Sequence, residues 1–120
     1  MLSLLFAALS GVLMALQGAL NSALGKVVGL LEATFVVHVV GSIVGLVLLL
    51  VGLGSGNWQN WGQAPWYTYL GGLLGVGIVY LVVASIAKIG VAPATTAIIV
   101  GQVSMAALID FFGWFGHEPL

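Results

Sequence analysis

Hydrogen-bonding side chains recur inside otherwise apolar stretches of this sequence. Gln17 and Asn21 are four residues apart, which places both on one face of a helix. An amide, imidazole or phenol group in such a position can bind a solute or can hydrogen-bond to a neighbouring helix. Both interpretations stay open for each residue. The candidate substrate-binding residues are Gln17, Asn21, His38, Tyr80 and Gln102.

Two of the titratable residues are candidates for ion coupling. His38 can titrate near neutral pH and could couple transport to protons, or it could be a neutral ring bonded to another helix. Asp110 is the only acid inside an apolar run, so it is either an ion-coupling carboxylate or a residue at headgroup level.

Enzymatic and metal chemistry have no sequence pattern to support them. G-x-S-x-G, H-E-x-x-H and closely spaced carboxylate pairs are all missing from the sequence. With no Cys there is no thiolate ligand or nucleophile, and the His and acidic residues are spread over opposite ends. We therefore predict no enzyme activity, no metal and no cofactor.

Composition indicates the elements that must position these residues. Apolar residues make up 62% of the 120 residues and charged residues only 4%, which excludes an ordinary soluble globule and a nucleic-acid-binding protein. A membrane-spanning helix needs about 20 apolar residues. We predict an all-α membrane protein with the bilayer as its partner. It forms a single transmembrane domain, residues 1–120, with four spans at about residues 2–21, 31–52, 66–87 and 93–115. The first run lacks a basic leader and is longer than the apolar core of a signal peptide, about 7–15 residues, so it is expected to be a retained helix.

Orientation depends on two lysines. Lys26 and Lys88 lie in the first and third connections, on one side of a four-helix stack. The positive-inside rule places that side in the cytoplasm. Because two lysines are few, dual insertion is the alternative.

The sequence also indicates where the helices pack and how deep in the membrane the candidate binding residues lie. Helices in lipid associate through small residues, and the predicted helix-packing positions are Gly18, Gly41, Gly45, Gly71, Gly75 and Gly101. Counted from the lysine side at 1.5 Å per residue, the five candidate binding residues lie about 7 to 15 Å deep. This shared level near the midplane predicts a substrate cavity there.

Two segments resemble a known family. The pattern A-x-Q-x-x-x-N-x-x-L-G spans residues 15–25, and I-G-V-A-P-A-T-T-A spans residues 89–97, followed by Gly101-Gln102 and by residues 109–120. Together they resemble the drug/metabolite transporter (DMT) superfamily and, within it, the YdcZ-like family. The second segment is also similar to the third helix of small multidrug resistance proteins. The positions that match the family motif are Gln17, Asn21, Gln102 and Asp110.

The resemblance implies a multi-pass protein of the bacterial inner membrane. It also implies a homodimer, or a pair with a related subunit, that exports or exchanges a small polar metabolite or drug by alternating access, with proton coupling as one option. Small multidrug resistance proteins carry an acid in the first helix, where this chain has Gln17 or Met14, so their cation/proton antiport is not expected. YdcZ-like proteins usually have a fifth helix after the F-G-x-x-P-L exit, so we expect a DMT-like bundle lacking that helix.

Three functions are compatible with these observations. The first is a small-molecule transporter with a midplane cavity at the core of an oligomer. The second is a non-transporting interaction subunit that packs through glycine faces. The third is a passive channel, which would carry currents without saturation.

Overall fold

The protein folds as four long helices. The computed structural model describes residues 1–116, and its α-helices are α1 (Leu2–Val28), α2 (Leu30–Leu50), α3 (Gly71–Ile89) and α4 (Val91–Phe112). Each span is long and apolar enough to cross a membrane. The predicted all-α fold with four spans is confirmed. His117 and Glu118, which follow the last span, lie outside the described residues.

Single glycines join the helices into two hairpins. Gly29 separates α1 from α2 and Gly90 separates α3 from α4, with φ values of 107° and 93°. Only glycine adopts this backbone conformation without strain. The first helix is longer than predicted. Its predicted end was residue 21, but the connection that carries Lys26 is helical up to Val28.

The long connection between the hairpins is partly helical. It contains two 3₁₀ helices, Trp58–Gln63 and Trp66–Leu70. The hydroxyl of Tyr69 donates a hydrogen bond to the carbonyl oxygen of Trp61, which ties these two segments together. The third span thus begins with a 3₁₀ turn and becomes α-helical at Gly71.

The core lies at the lysine-bearing end of the bundle. There α1 contacts α3 closely because Gly18 and Gly25 have no side chain. A Cβ atom at either position would lie 3.0 Å from an atom of α3, Cδ1 of Ile86 and Cγ1 of Val83 respectively. The buried residues are Gly18, Asn21, Ser22, Gly25, Ala33, Thr34, Val83, Ile86 and Ala94.

The opposite half of the bundle is loosely packed. All residues of α1 before Ala15 are exposed, as are residues 39–50 of α2 and residues 99–108 of α4. In a bilayer these surfaces face lipid or another protein chain. The bundle is therefore closely packed at the lysine-bearing end, called the closed end below, and exposed at the other.

Candidate functional site

A groove runs along the polar face of α1. It has a volume of about 610 Å³ and is open on one side. Because every lining residue belongs to α1, this helix supplies only one wall. The lining residues are Ser10, Leu13, Met14, Leu16, Gln17, Leu20 and Asn21.

Asn21 lies at the closed end of the groove. It is only 9% exposed, yet its side-chain amide has no hydrogen bond to any of residues 1–116. A carboxamide offers two donors and one acceptor oxygen. The amide atoms are not themselves fully buried, so they reach the surface of the groove with their hydrogen-bonding groups unpaired. An amide in this position can bind a solute.

Ser22, the next residue, is also buried and lies on another face of α1. It is 4% exposed, and its Oγ atom has no hydrogen-bond partner within the described part of the chain. Sequence reasoning did not single out this residue. The adjacent pair Asn21-Ser22 in an apolar run was the signal that could have found it.

Gln17 and Ser10 supply the other polar groups of the groove. Gln17 is exposed one turn from Asn21. The hydroxyl of Ser10 donates to the carbonyl oxygen of Ala7 at 2.7 Å, so it remains free only as an acceptor. The rest of the lining is apolar. Leu16 and Leu20 line the groove beside Gln17.

His38 lies at the contact between α2 and α3, away from the groove. Its Nδ1 atom is 2.8 Å from the carbonyl oxygen of Thr34. Since a carbonyl oxygen can only accept, Nδ1 carries a proton and donates it to this hydrogen bond. Nε2 faces Gly75, where a Cβ atom would lie 3.3 Å away.

The remaining predicted residues do not line the groove. Tyr80 is 39% exposed, and Gln102 and Asp110 are exposed on α4. Of the glycines predicted to pack, Gly18 contacts α3 and Gly75 contacts His38. The positions with no heavy atom within 4 Å of a built Cβ are Gly41, Gly45, Gly71 and Gly101.

The helix bounds fix the depths of these groups. Measured along each helix from the lysine-bearing end, Asn21 lies about 10 Å deep, His38 about 12 Å and Tyr80 about 14 Å. Gln17 and Gln102 both lie about 16 Å deep. Along their own helices, all five side chains thus lie about 10 to 16 Å from the lysine-bearing end, a spread of about 6 Å.

A second concavity lies at the opposite end of the bundle. Its volume is about 490 Å³, and it combines exposed aromatic rings with two asparagines. Aromatic rings are common at the membrane–water interface, and Trp58 and Trp61 fit that position. The lining residues are Leu49, Gly54, Gly56, Asn57, Trp58, Asn60, Trp61 and Tyr69.

Four apolar spans with hydrogen-bonding groups at mid-depth define a multi-pass membrane protein. Residues 2–120 match the sequence family described as "Putative inner membrane exporter, YdcZ", within the DMT group. The chain belongs to this YdcZ family, as its resemblance predicted. No curated protein and no solved structure was found to match the chain.

The family match and the four apolar spans together indicate where the protein is located and to which class of protein it belongs. The protein is a multi-pass protein of the inner membrane, and its family is one of transporters rather than enzymes. Location and transporter class are thus confirmed. The substrate and the residues that bind it are not part of what the family defines.

Proposed function

We propose that the protein exports or exchanges a small solute by alternating access, and that the groove on α1 is part of the solute site. The observation that carries this proposal is Asn21, a residue only 9% exposed whose amide lines the groove and makes no hydrogen bond within residues 1–116. A solute that hydrogen-bonds to this amide would gain about 0.5–1.5 kcal/mol for each bond. Gln17, one turn away, would be its second hydrogen-bonding group.

A second copy of the chain is the proposed opposite wall. One helix cannot enclose a solute, and the groove has no lining from α2, α3 or α4. The uncontacted glycines Gly41, Gly45 and Gly101 give surfaces on which another chain could pack closely. In this arrangement Tyr80 and Gln102 of either copy, already at groove depth, could complete the site. A related subunit could take the same place.

The packed end of the bundle is the proposed closed gate. With the lysines in the cytoplasm, the groove would be sealed toward the cytoplasm by the contacts of Gly18 and Gly25 with α3. Transport would require these contacts to open while the exposed halves of the helices come together. The contacts that would have to open are van der Waals contacts of the two glycines with Val82, Val83 and Ile86 of α3.

Proton coupling is assigned to His38 in this proposal. Its Nε2 atom is free to take a proton, but it faces the backbone of Gly75 and not an acceptor. A protonated ring would need a new partner, so protonation would favour a different contact between α2 and α3. Asp110, exposed near the far end of α4, is the alternative coupling residue.

Transport by reconstituted protein tests the groove. Proteoliposomes would be screened for solute uptake and exchange, and the wild type compared with Asn21→Ala and Gln17→Ala. The matched control is Gln63→Ala, which removes the same amide from the connection outside the spans. We expect both groove variants to lose most of the saturable flux and the control to keep it. Unchanged flux in both groove variants would show that the solute does not use this groove.

The orientation is tested separately by cysteine labelling. The chain has no Cys, so single cysteines at Gly54 and Lys26 can be labelled without background. We expect membrane-impermeant reagents to reach the two positions from opposite sides. Labelling of each position from both sides would show dual insertion.

A further inference from the structure

We infer that the groove on α1 selects uncharged, amphipathic solutes that carry a group able both to donate and to accept hydrogen bonds, as a primary amide does. This inference rests on the proposed function and specifies its substrate class. It begins from the side chains of the groove. Three are polar but uncharged, Ser10, Gln17 and Asn21, and the other four are apolar.

A homodimer would not add a charge to this site. The acidic and basic side chains of the whole chain are Lys26, Glu32, Lys88, Asp110 and Glu118. Lys26 and Lys88 lie in the last turns of their helices and Glu32 lies in the first turn of α2. Asp110 lies close to the end of α4 at Phe112. A second copy brings the same residues, so within residues 1–116 its mid-depth surface carries no acidic or basic side chain either.

His38 does not provide a compensating charge within the groove. Its ring packs between α2 and Gly75, with Nδ1 bonded to Thr34, and it is not among the lining residues. A charged solute would therefore lose its hydration with no counter-ion nearby. Burying an unpaired ion is strongly unfavourable, and we expect discrimination against charged solutes of about a hundredfold or more in Kd.

The positions of the polar groups specify the shape of the solute. Gln17 and Asn21 lie one turn apart, about 5–6 Å between Cβ atoms, and each offers a donor and an acceptor. A primary amide can pair with both. Leu13, Leu16 and Leu20 extend from this pair as an apolar strip. The polar group of the solute would thus sit at the Asn21 end, with its apolar body along the leucines.

Binding of a matched probe series tests this inference. Straight-chain primary amides, carboxylates and ammonium ions of equal length, from butyl to octyl, would be titrated into the full-length protein in nanodiscs. Saturation-transfer NMR would report binding, with empty nanodiscs subtracted to remove partition into lipid. We expect the amides to bind at least about a hundredfold more tightly than either ion. We also expect Asn21→Leu to abolish amide binding.

A charge introduced into the groove provides the converse test. Gln17→Glu keeps the side-chain shape and adds a carboxylate, so it should weaken amide binding and create binding of the ammonium probes. Gln63→Glu, the same change outside the spans, should leave the wild-type order unchanged. Circular dichroism of each variant would verify that the helices are intact.

The outcomes separate this inference from the proposed function. Carboxylates or ammonium ions that bind the wild type as tightly as amides, or a series in which no amide binds, would overturn the uncharged substrate class. Neither result bears on whether Asn21→Ala abolishes transport. Conversely, amide binding that survives Asn21→Leu would place the probes elsewhere and overturn the groove as their site.

Discussion

Substitution of Gly25 by alanine tests the packing of the closed end most directly. A Cβ atom there would lie 3.0 Å from Cγ1 of Val83, 3.5 Å from Cδ2 of Leu30 and 3.8 Å from Cβ of Ala33. Val83 is 0% exposed and β-branched, so it has little freedom to move away. Overpacking of this kind costs about 1–3 kcal/mol. The better helix propensity of alanine returns about 1 kcal/mol, leaving a net loss of about 0–2 kcal/mol.

The same substitution at Gly11 isolates the steric part. Gly11 is on the same helix, and no heavy atom lies within 4 Å of its built Cβ. Gly11→Ala therefore gains helix propensity without a clash, and the difference between the two variants should equal the steric cost, about 1–3 kcal/mol. Gly18→Ala should fall between them, because its nearest contact is Cδ1 of Ile86, the end of a flexible side chain.

Reversible unfolding in mixed detergent micelles, followed by far-ultraviolet circular dichroism, measures these differences. Protein concentration is held constant because assembly would change the apparent stability. We expect the order of stability to be Gly11→Ala, then Gly18→Ala, then Gly25→Ala. If Gly25→Ala were as stable as Gly11→Ala, α1 and α3 could not be in close contact at Val83.

Three further substitutions follow from the same end of the bundle. Ser22→Ala should stabilise the protein by about 1 kcal/mol in the same unfolding assay, because it removes a buried hydroxyl without a partner; a loss of stability would mean that the hydroxyl is paired. Gly29→Ala should destabilise it by about 1–3 kcal/mol, because alanine is strained at φ 107° and its Cβ would collide with the carboxylate of Glu32. An unchanged unfolding midpoint would contradict that turn. Asn21→Leu should abolish saturable transport without loss of stability, because the Asn21 amide makes no hydrogen bond within residues 1–116; a variant that is equally stable and fully active would separate Asn21 from the solute site.

The spans could be predicted from the sequence, but their exact ends could not. Long apolar runs identify membrane helices because each must cross about 30 Å of hydrocarbon. The stretch from Gly25 to Gly29 looks like a linker, since it contains two glycines and a lysine. In the fold, however, only Gly29 has a positive φ value, and Gly25 is a helical residue that contacts α3. Composition alone does not distinguish a glycine that ends a helix from one that packs within it.

The site could be predicted only in part, for a similar reason. The spacing of Gln17 and Asn21 placed them on one face, and both line the groove. Helical periodicity does not indicate where along their length the helices converge. The burial of Asn21 and Ser22 at one end, and the exposure of Gln17 one turn away, depend on the approach of α3 to Gly18 and Gly25. That approach is a tertiary contact and leaves no periodic signal.

The uneven packing of the bundle is consistent with a protein that must change its contacts to work. At the closed end, glycines allow α3 to approach α1, and the side chains that meet Gly18 and Gly25 contribute dispersion attraction that is small for each atom pair. The unpaired hydroxyl of Ser22 makes this end less stable than its packing could allow. A fold optimised only for stability would place an apolar side chain at this position. Retaining polar groups there keeps the free-energy difference between closed and open ends small, which the proposed alternating access requires.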